Sequence, residues 1–560
     1  MIMTDSKHKS LKIRVIGLLV IITVTLYLAV ELNLFISDQY VFYSAVTEQG
    51  LPYYTKKERQ RYKNISDVGK HKLKLAQKKA ATLEAASNSV RITIGLITTL
   101  LVGYLSDRYG RRAAFGILLV GELLHVGVTG LIVLLKLNMW LILLPGLLEA
   151  IFGGGLLSLF AQVATIQVDV CHLSMKYSME KTDKKNIKSS DKQMWILFTI
   201  FDGIAALCVS AGSPIGGALI YHYGFQVAMF TSLGLLVPSL ILIFCLPETN
   251  KNKRKPIVVQ DEKPFDEVNN DDPNEDTRSI PMEFERTLKS RVTDAFQSLK
   301  NLDPVVIMIL SMVLLGSVSA LADLQYVAVY LMGPPFLWSP ETVGLYSGVT
   351  DVISAFISII CTILIIKFDE KRKAKALTEQ NTTNNSDRNH YTRQMHLLIT
   401  VFAASVIMLM VNRSVVGVAY RFQLPTANIL IYIASIPRLM KSFLVPIIRT
   451  MLSISVHSSI QGIMQSIAAF VSRIGLLISL TALPAMYAGT VLTFPGTVFI
   501  VVVIIMAITL IIDLLLPFVM KKQNSKSKAA ELNNLHNVKE GEVGEVTKSD
   551  DIVNYIGDMF

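Results

Sequence analysis

The chain has 560 residues, of which 51% are hydrophobic and 17% charged. Soluble proteins carry charge on about a quarter of their residues, so a row of soluble domains is excluded and a chain crossing a membrane many times is expected. The formal net charge is +11, but no nucleic-acid-reading motif accompanies it. Nucleic acid is therefore set aside as a partner, and the excess is assigned to the cytoplasmic bias of Lys and Arg.

Lys7, Lys9, Lys12 and Arg14 precede the first apolar run, 15–36. A signal peptide would have a shorter apolar core and a small-residue cleavage site. This run instead contains Glu31 and ends near Asp38, so it reads as a first span with its basic end in the cytoplasm. A span needs about 20 apolar residues. Further blocks of that kind fall near 89–106, 113–135, 140–166, 193–221, 225–246, 305–331, 342–366, 395–411, 427–453, 461–488 and 495–519, making twelve with the first. The ninth is closed early by Asn412 and Arg413. An even number puts both termini on one side, and Lys521, Lys522, Lys526 and Lys528 place that side in the cytoplasm.

The polar stretch 247–304 cannot bury enough apolar surface to fold alone. It separates 15–246 from 305–519, two segments of 232 and 215 residues with six blocks each. The expected organisation is a cytoplasmic N-terminus at 1–14, a first bundle at 15–246, a cytoplasmic linker at 247–304, a second bundle at 305–519 and a cytoplasmic tail at 520–560. Such duplicated halves are common in transporters. Within the first half, 38–88 is expected as an extracellular loop. It carries ten Lys and Arg against five acidic residues, and Asn64-Ile65-Ser66 is a glycosylation sequon. Two readings stand for its basic residues: a collar that gathers anions, or a solvated helix leading into the second span. The sequons at Asn381 and Asn384 fall on the internal side.

Between blocks two and three stands Gly103-Tyr104-Leu105-Ser106-Asp107-Arg108-Tyr109-Gly110-Arg111-Arg112. Gly103 permits close helix packing and Gly110 a tight turn. Asp107 can accept a charge-assisted bond from an arginine or a helix N-terminus. Arg108, Arg111 and Arg112 fix the loop on the cytoplasmic side. Gly103, Asp107, Arg108, Gly110, Arg111 and Arg112 are thus read as a gating loop.

This decapeptide resembles the signature loop of the major facilitator superfamily, with a degenerate echo at Lys367-Phe368-Asp369-Glu370-Lys371-Arg372. Pro247-Glu248-Thr249 is similar to another landmark of that superfamily. Within it, the chain resembles the proton-coupled folate transporter and thymic stromal co-transporter family. The anchors are the long sequon-bearing loop, Tyr330 to Trp338 with Gly344 and Tyr346, Val445-Pro446-Ile447-Ile448-Arg449 with Gln461-Gly462, and Asp202 ahead of Gly216-Gly217. The chain departs from the folate-transporting members at Phe152 (an acid there), Ala320 (a histidine), Leu337 (an external cysteine) and Leu147 (an arginine in much of the superfamily). The resemblance implies an all-α membrane protein with twelve transmembrane helices in two six-helix pseudo-repeat bundles, the major facilitator fold.

Ionisable groups cost about 2.5–3.5 kcal/mol at the bilayer centre, so they persist when paired or facing water. Glu31, Glu122, Glu149, Asp202, Asp323, Asp351, Arg438, Lys441, Arg449, Arg473 and Asp513 lie in the apolar blocks. Asp202 reads as the proton-coupling carboxyl, or else as a structural carboxyl bonded to a neighbouring helix. Arg449 offers a fork for a substrate carboxylate, or an internal ion pair. Arg438 and Lys441 share a helix face and with Arg449 can form a basic stripe, or one of them reaches an interface. Glu122 and His125 can relay protons or pack as a structural pair. Asp323 and Glu31 are further substrate-binding candidates. Gly212-Ser213-Pro214-Ile215-Gly216-Gly217 reads as a packing motif, and resembles the glycine core of drug/proton antiporters.

Cys171, Cys208, Cys245 and Cys361 form no CxxC pair, so neither a metal site nor a disulfide framework is indicated. No nucleophile elbow, phosphate-binding loop or HExxH motif is present. The expected function is therefore not enzymatic and uses no cofactor: a secondary transporter taking a small organic anion with protons across a lipid bilayer. A proton-coupled antiporter and a non-transporting receptor on a transporter fold are the alternatives. The plasma membrane is placed ahead of the endosome or lysosome. If the loop after the first span is external, glycosidase treatment should lower the apparent mass of the expressed protein. Asn64→Gln should abolish that shift, and an unshifted wild-type band would place the loop inside.

Overall fold

Inside hydrocarbon a backbone amide finds a partner only within a helix or against protein and trapped water. The apolar blocks accordingly fold as helices. The computed structural model describes residues 2–58, 61–62, 64–153, 155–179, 184–249, 303–322, 326–379, 386–456, 461–523 and 525. The first half contains α1 (Ile2–Glu48), α2 (Asp67–Tyr109), α3 (Arg111–Leu134), α4 (Leu143–Ile151), α5 (Leu156–Met179), α6 (Lys184–Tyr223) and α7 (Phe225–Cys245). The second contains α8 (Pro304–Leu321), α9 (Tyr326–Met332), α10 (Pro340–Glu379), α11 (Ser386–Ala419), α12 (Thr426–Arg438), α13 (Leu444–Ser455), α14 (Gln461–Thr490) and α15 (Thr497–Gln523).

Among the described residues, ten helical stretches are long and apolar enough to cross a membrane. Three expected blocks are interrupted instead. The block at 140–166 breaks around Gly153 and Gly155, whose φ values of +135° and +71° suit glycine alone. In the block at 305–331 the first helix ends at Leu321, with Ala322 in a turn, and the block at 427–453 breaks at 439–443 behind Pro437. Irregular backbone at membrane depth is tolerated where protein or trapped water covers it. The buried charges lie close to these breaks.

Two expected boundaries shift. The stretch read as a loop over 38–88 is helical over 38–48 and again from Asp67, so 49–66 is the connection. The Ser66 hydroxyl accepts from the Gly69 amide at 3.2 Å and starts α2. Leu73, Ala76, Ala80 and Leu83 recur at helical spacing and are fully buried, so this arm packs on the bundle rather than standing in solvent. The ninth block does not end at Asn412. There the Asn412 amide donates to the Ala434 carbonyl at 2.7 Å, and α11 continues to Ala419.

The halves meet where α6 packs on α10 and α2 on α14. The contacts gather at the end that carries residues 49–66. Tyr62 donates to the Met332 carbonyl at 2.7 Å, and Gln77 to the Val329 carbonyl at 2.6 Å and the Tyr487 hydroxyl at 3.1 Å. Burial pushes the Tyr62 hydroxyl well above its ordinary pKa, so it stays a donor. The helices approach through glycine: a Cβ on Gly217 would lie 3.1 Å from Cα of Glu341. Gly217→Val should therefore wedge this seam. A cysteine introduced at Ser213 should then label faster with a maleimide than in the parent protein, and equal rates would refute the wedge.

Candidate functional site: buried charges beside the helix breaks

The signature loop sits at the far end from residues 49–66. Gly110, with φ +109°, turns the chain between α2 and α3. That turn leaves the first amides of α3 without helix partners, and Glu248 takes them. Its two oxygens accept from the Arg111 and Arg112 amides at 2.9 and 3.2 Å. Arg111 Nε donates to Asp169 at 2.8 Å, and its Nη1 donates to the Ser106 hydroxyl at 3.0 Å. Thr249 donates to the same Asp169 oxygen at 3.2 Å. The loop is thus tied to α5 and to the segment after α7. Arg108 is exposed, with its guanidinium 5.8 Å from the Tyr109 ring. Gly103 lies on α2 with open space around its Cα. The Asp107 side chain lies outside the described residues.

A cluster occupies the first half behind the α4–α5 break. Glu122 and His125 stand one turn apart on α3, 3.8 Å between Oε2 and Nδ1. The pair is joined by Glu149 of α4, whose Oε2 lies 2.8 Å from His125 Nδ1. Arg91 of α2 approaches the same oxygen at 3.6 Å and donates to the Asn88 side chain at 3.1 Å. Exposures of 1% for Glu122, 4% for His125 and 5% for Glu149 leave no room for bulk water to balance the charges. The three donor groups lie within 4.8 Å of one another, the spacing of a cation site. The Arg91 guanidinium already supplies a positive charge there, which disfavours a metal ion. The group fits proton exchange between carboxyl and imidazole better.

A second cluster occupies the other half at the α12–α13 break. Asp351 of α10 lies 3.3 Å from Arg438 Nη2 and 3.4 Å from Lys441 Nζ. Arg438 also donates to the Thr350 hydroxyl, and its guanidinium lies 5.0 Å from the Tyr346 ring centre. Arg413 of α11 is 2% exposed and lines a small cavity with Arg438, Tyr346 and Asn412. Three cations thus share this region with one described carboxylate, Asp351.

Several expected residues are brought together here and others are not. Glu122 joins His125, and Arg438 joins Lys441. Arg449 does not continue that stripe: the break turns the chain, and Arg449 is exposed on α13. Glu31 is half-buried on α1, against Gly212 of α6. Asn64 is exposed. Asp323 and the Asp202 side chain lie outside the described residues. Sequence reading missed Arg91, Arg413, Asp38, Glu84 and Asp169. Asp38 and Glu84 were hidden in the expected loop, and Arg413 was taken as the end of a block. A helical reading of 67–88 from its buried spacing would have exposed Glu84.

No protein-family model and no curated protein matches the sequence. Solved structures do resemble the fold. The nucleoside transporter NupG is 11% identical with a TM-score of 0.51, covering 87% of this chain and 99% of its own. The human organic anion transporter MFSD10 (TETRAN) is 14% identical with a TM-score of 0.51, covering 90% and 99%. A peptide transporter, POT, in complex with sulfate is 11% identical with a TM-score of 0.50, covering 90% and 95%. At such identities the likeness establishes architecture: an all-α multi-pass membrane protein of the major facilitator fold.

Removing one partner of a buried ion pair costs about 3–5 kcal/mol. Asp351 keeps 30% side-chain exposure, which puts Asp351→Ala toward the lower end, about 3 kcal/mol. The thermal-unfolding midpoint in detergent should fall by several degrees, and adding Arg438→Met should recover part of the loss. An unchanged midpoint would show that water, not Asp351, balances the two cations.

Proposed function

We propose that this chain is a secondary transporter that imports a small organic anion together with protons by alternating access. One observation carries the reading: two clusters differ in charge. Among the described residues, the carboxyls Glu122 and Glu149 gather near the α4–α5 break and the cations Arg413, Arg438 and Lys441 near the α12–α13 break, while Asp513 is a further carboxyl buried on α15. An acidic cluster is suited to loading protons and a cationic one to holding a carboxylate. Each cluster is built beside a helix break, the usual position of transporter sites.

In this reading, Arg438 and Lys441 receive the anion when Asp351 gives up its pairing, with Arg449, Asp323 and Glu31 as further contacts. Glu122, His125 and Asp202 carry the coupled proton. The Gly103–Arg112 loop, tied to Asp169 and Glu248, is the hinge point that holds its end of the first half rigid while the halves rock. The resemblance to folate-transporting proteins and the organic anion named for MFSD10 supply the solute class: a carboxylate-bearing, folate-like or smaller organic anion. The termini and the segment 247–304 lie in the cytoplasm, Asn64 outside, and the plasma membrane is the site of action. The antiporter alternative loses its motive in the Gly212–Gly217 string, because Gly212 packs on Glu31 and Gly217 on Pro340.

Uptake of labelled folates, small dicarboxylates and anionic conjugates should be measured at external pH of about 5.5 and about 7.4. At least one should accumulate faster at the acidic pH and stop when a protonophore collapses the gradient. Asp202→Asn should abolish accumulation while sparing exchange. Lys441→Met should raise the half-saturating concentration for the anion about tenfold, the loss of one charge-assisted contact of roughly 1.5 kcal/mol. Indifference of every anion to the proton gradient would sink the symport reading.

A further inference from the structure

Two carboxyl groups that the scheme above does not use face one another's surroundings in the first half. Asp38 of α1 and Glu84 of α2 line a cavity of about 30 Å³. A water needs about 10–15 Å³ of such space, whereas an organic ligand needs a pocket of hundreds, so the cavity admits water and ions but no solute. Glu84 is 3% exposed, and neither of its oxygens has a hydrogen-bond partner among the described residues. An ionised carboxylate left in that condition is costly.

Both cations on the cavity wall, Arg91 and His125, are drawn toward Glu149. Glu122 leans on His125 from the same helix. Even with His125 charged, Asp38, Glu84, Glu122 and Glu149 outnumber Arg91 and His125 by two charges. Glu31 adds another carboxyl on α1, where it packs on Gly212 of α6, and Tyr487 of α14 faces the arm of α2 as a neutral group. The deficit calls for bound positive charge. A metal ion would share the cavity with the Arg91 guanidinium, whereas a proton sits inside an O–H bond and needs only an acceptor nearby.

We propose that Asp38 and Glu84 form a proton-binding site, with one proton held on one or other carboxyl group. Two carboxyls lining one small cavity disfavour each other's ionised form, so one of them keeps its proton. The site also touches the seam between the halves. Asn88, on the same wall, accepts from Arg91 at 3.1 Å while its amide donates to the Leu480 carbonyl of α14 at 3.3 Å. Loss of the proton draws Arg91 toward the bare carboxylates and away from Asn88, which loosens a hydrogen bond that joins the halves. The site adds Asp38 and Glu84 to the proton-carrying groups of the transport reading, and its role in transport rests on that reading; the binding does not.

The test is infrared difference spectroscopy of the purified full chain in lipid nanodiscs, titrated between about pH 8 and about pH 5 with choline as the only other cation. The wild type should show a protonated-carboxyl C=O band that vanishes on raising the pH. Glu84→Gln and Asp38→Asn should each remove a component of it, and that component should remain in Asp202→Asn and Glu122→Gln. Either variant alone suffices if the other fails to elute as a folded particle. A band unchanged by both substitutions, or loss of the same component in Asp202→Asn, overturns the assignment. Displacement of the band when sodium replaces choline makes this a metal-cation site and overturns it equally. No solute is present, so a missing band refutes the site, whereas acid-insensitive uptake with the band intact refutes only its use in transport.

Discussion

A charge in hydrocarbon must find an opposite charge, a hydrogen-bond partner or trapped water, and the rest of this structure follows from that requirement. Asp351 sits between Arg438 and Lys441, and Glu149 between His125 and Arg91. Each cluster sits beside a helix break. A broken helix frees backbone polar groups, and those groups need the same shelter that buried charges need. These two clusters and their breaks therefore lie together, while large apolar side chains such as Ile241, Phe244, Leu364 and Phe518 stay exposed on the outer surface.

The two clusters contribute opposite chemistry. Carboxyl groups dominate behind α4, and cations dominate at the α12–α13 break. Between the halves lies a seam of side-chain amides and hydroxyls: Tyr62, Gln77 and Asn88 donate to carbonyls of the opposite half. Single hydrogen bonds of this kind contribute about 1 kcal/mol each. The other end is held differently. Glu248 and Asp169 bind the signature loop within the first half, which stiffens that half.

Much of the fold was legible because hydropathy is additive along the chain. The apolar blocks became helix, three of them with interruptions, and Gly110 turned where its sequence context placed it. The errors came where polarity alone was read. Residues 67–88 are rich in lysine, so a helix there was read as solvated, yet Leu73, Ala76, Ala80 and Leu83 bury one face. Asn412 and Arg413 looked like a span's end, yet Asn412 reaches the Ala434 carbonyl inside the bundle. A polar residue ends a span only if nothing inside the protein satisfies it, and one sequence does not say what lies across the bundle.

The sequence by itself determined the class of molecule: apolar blocks that fold as helices, a tight turn at Gly110 and a supply of charges too expensive to leave idle. Only the tertiary structure decided which charges meet. Glu122 and His125 are neighbours by helical spacing, but Glu149 and Arg91 reach them from two other helices, and Arg449 parts from Arg438 because the chain bends between them. Spacing along one helix is a local property of the backbone. Pairing between helices depends on how rods that are distant in sequence pack, and that is settled by shape and solvation of the whole.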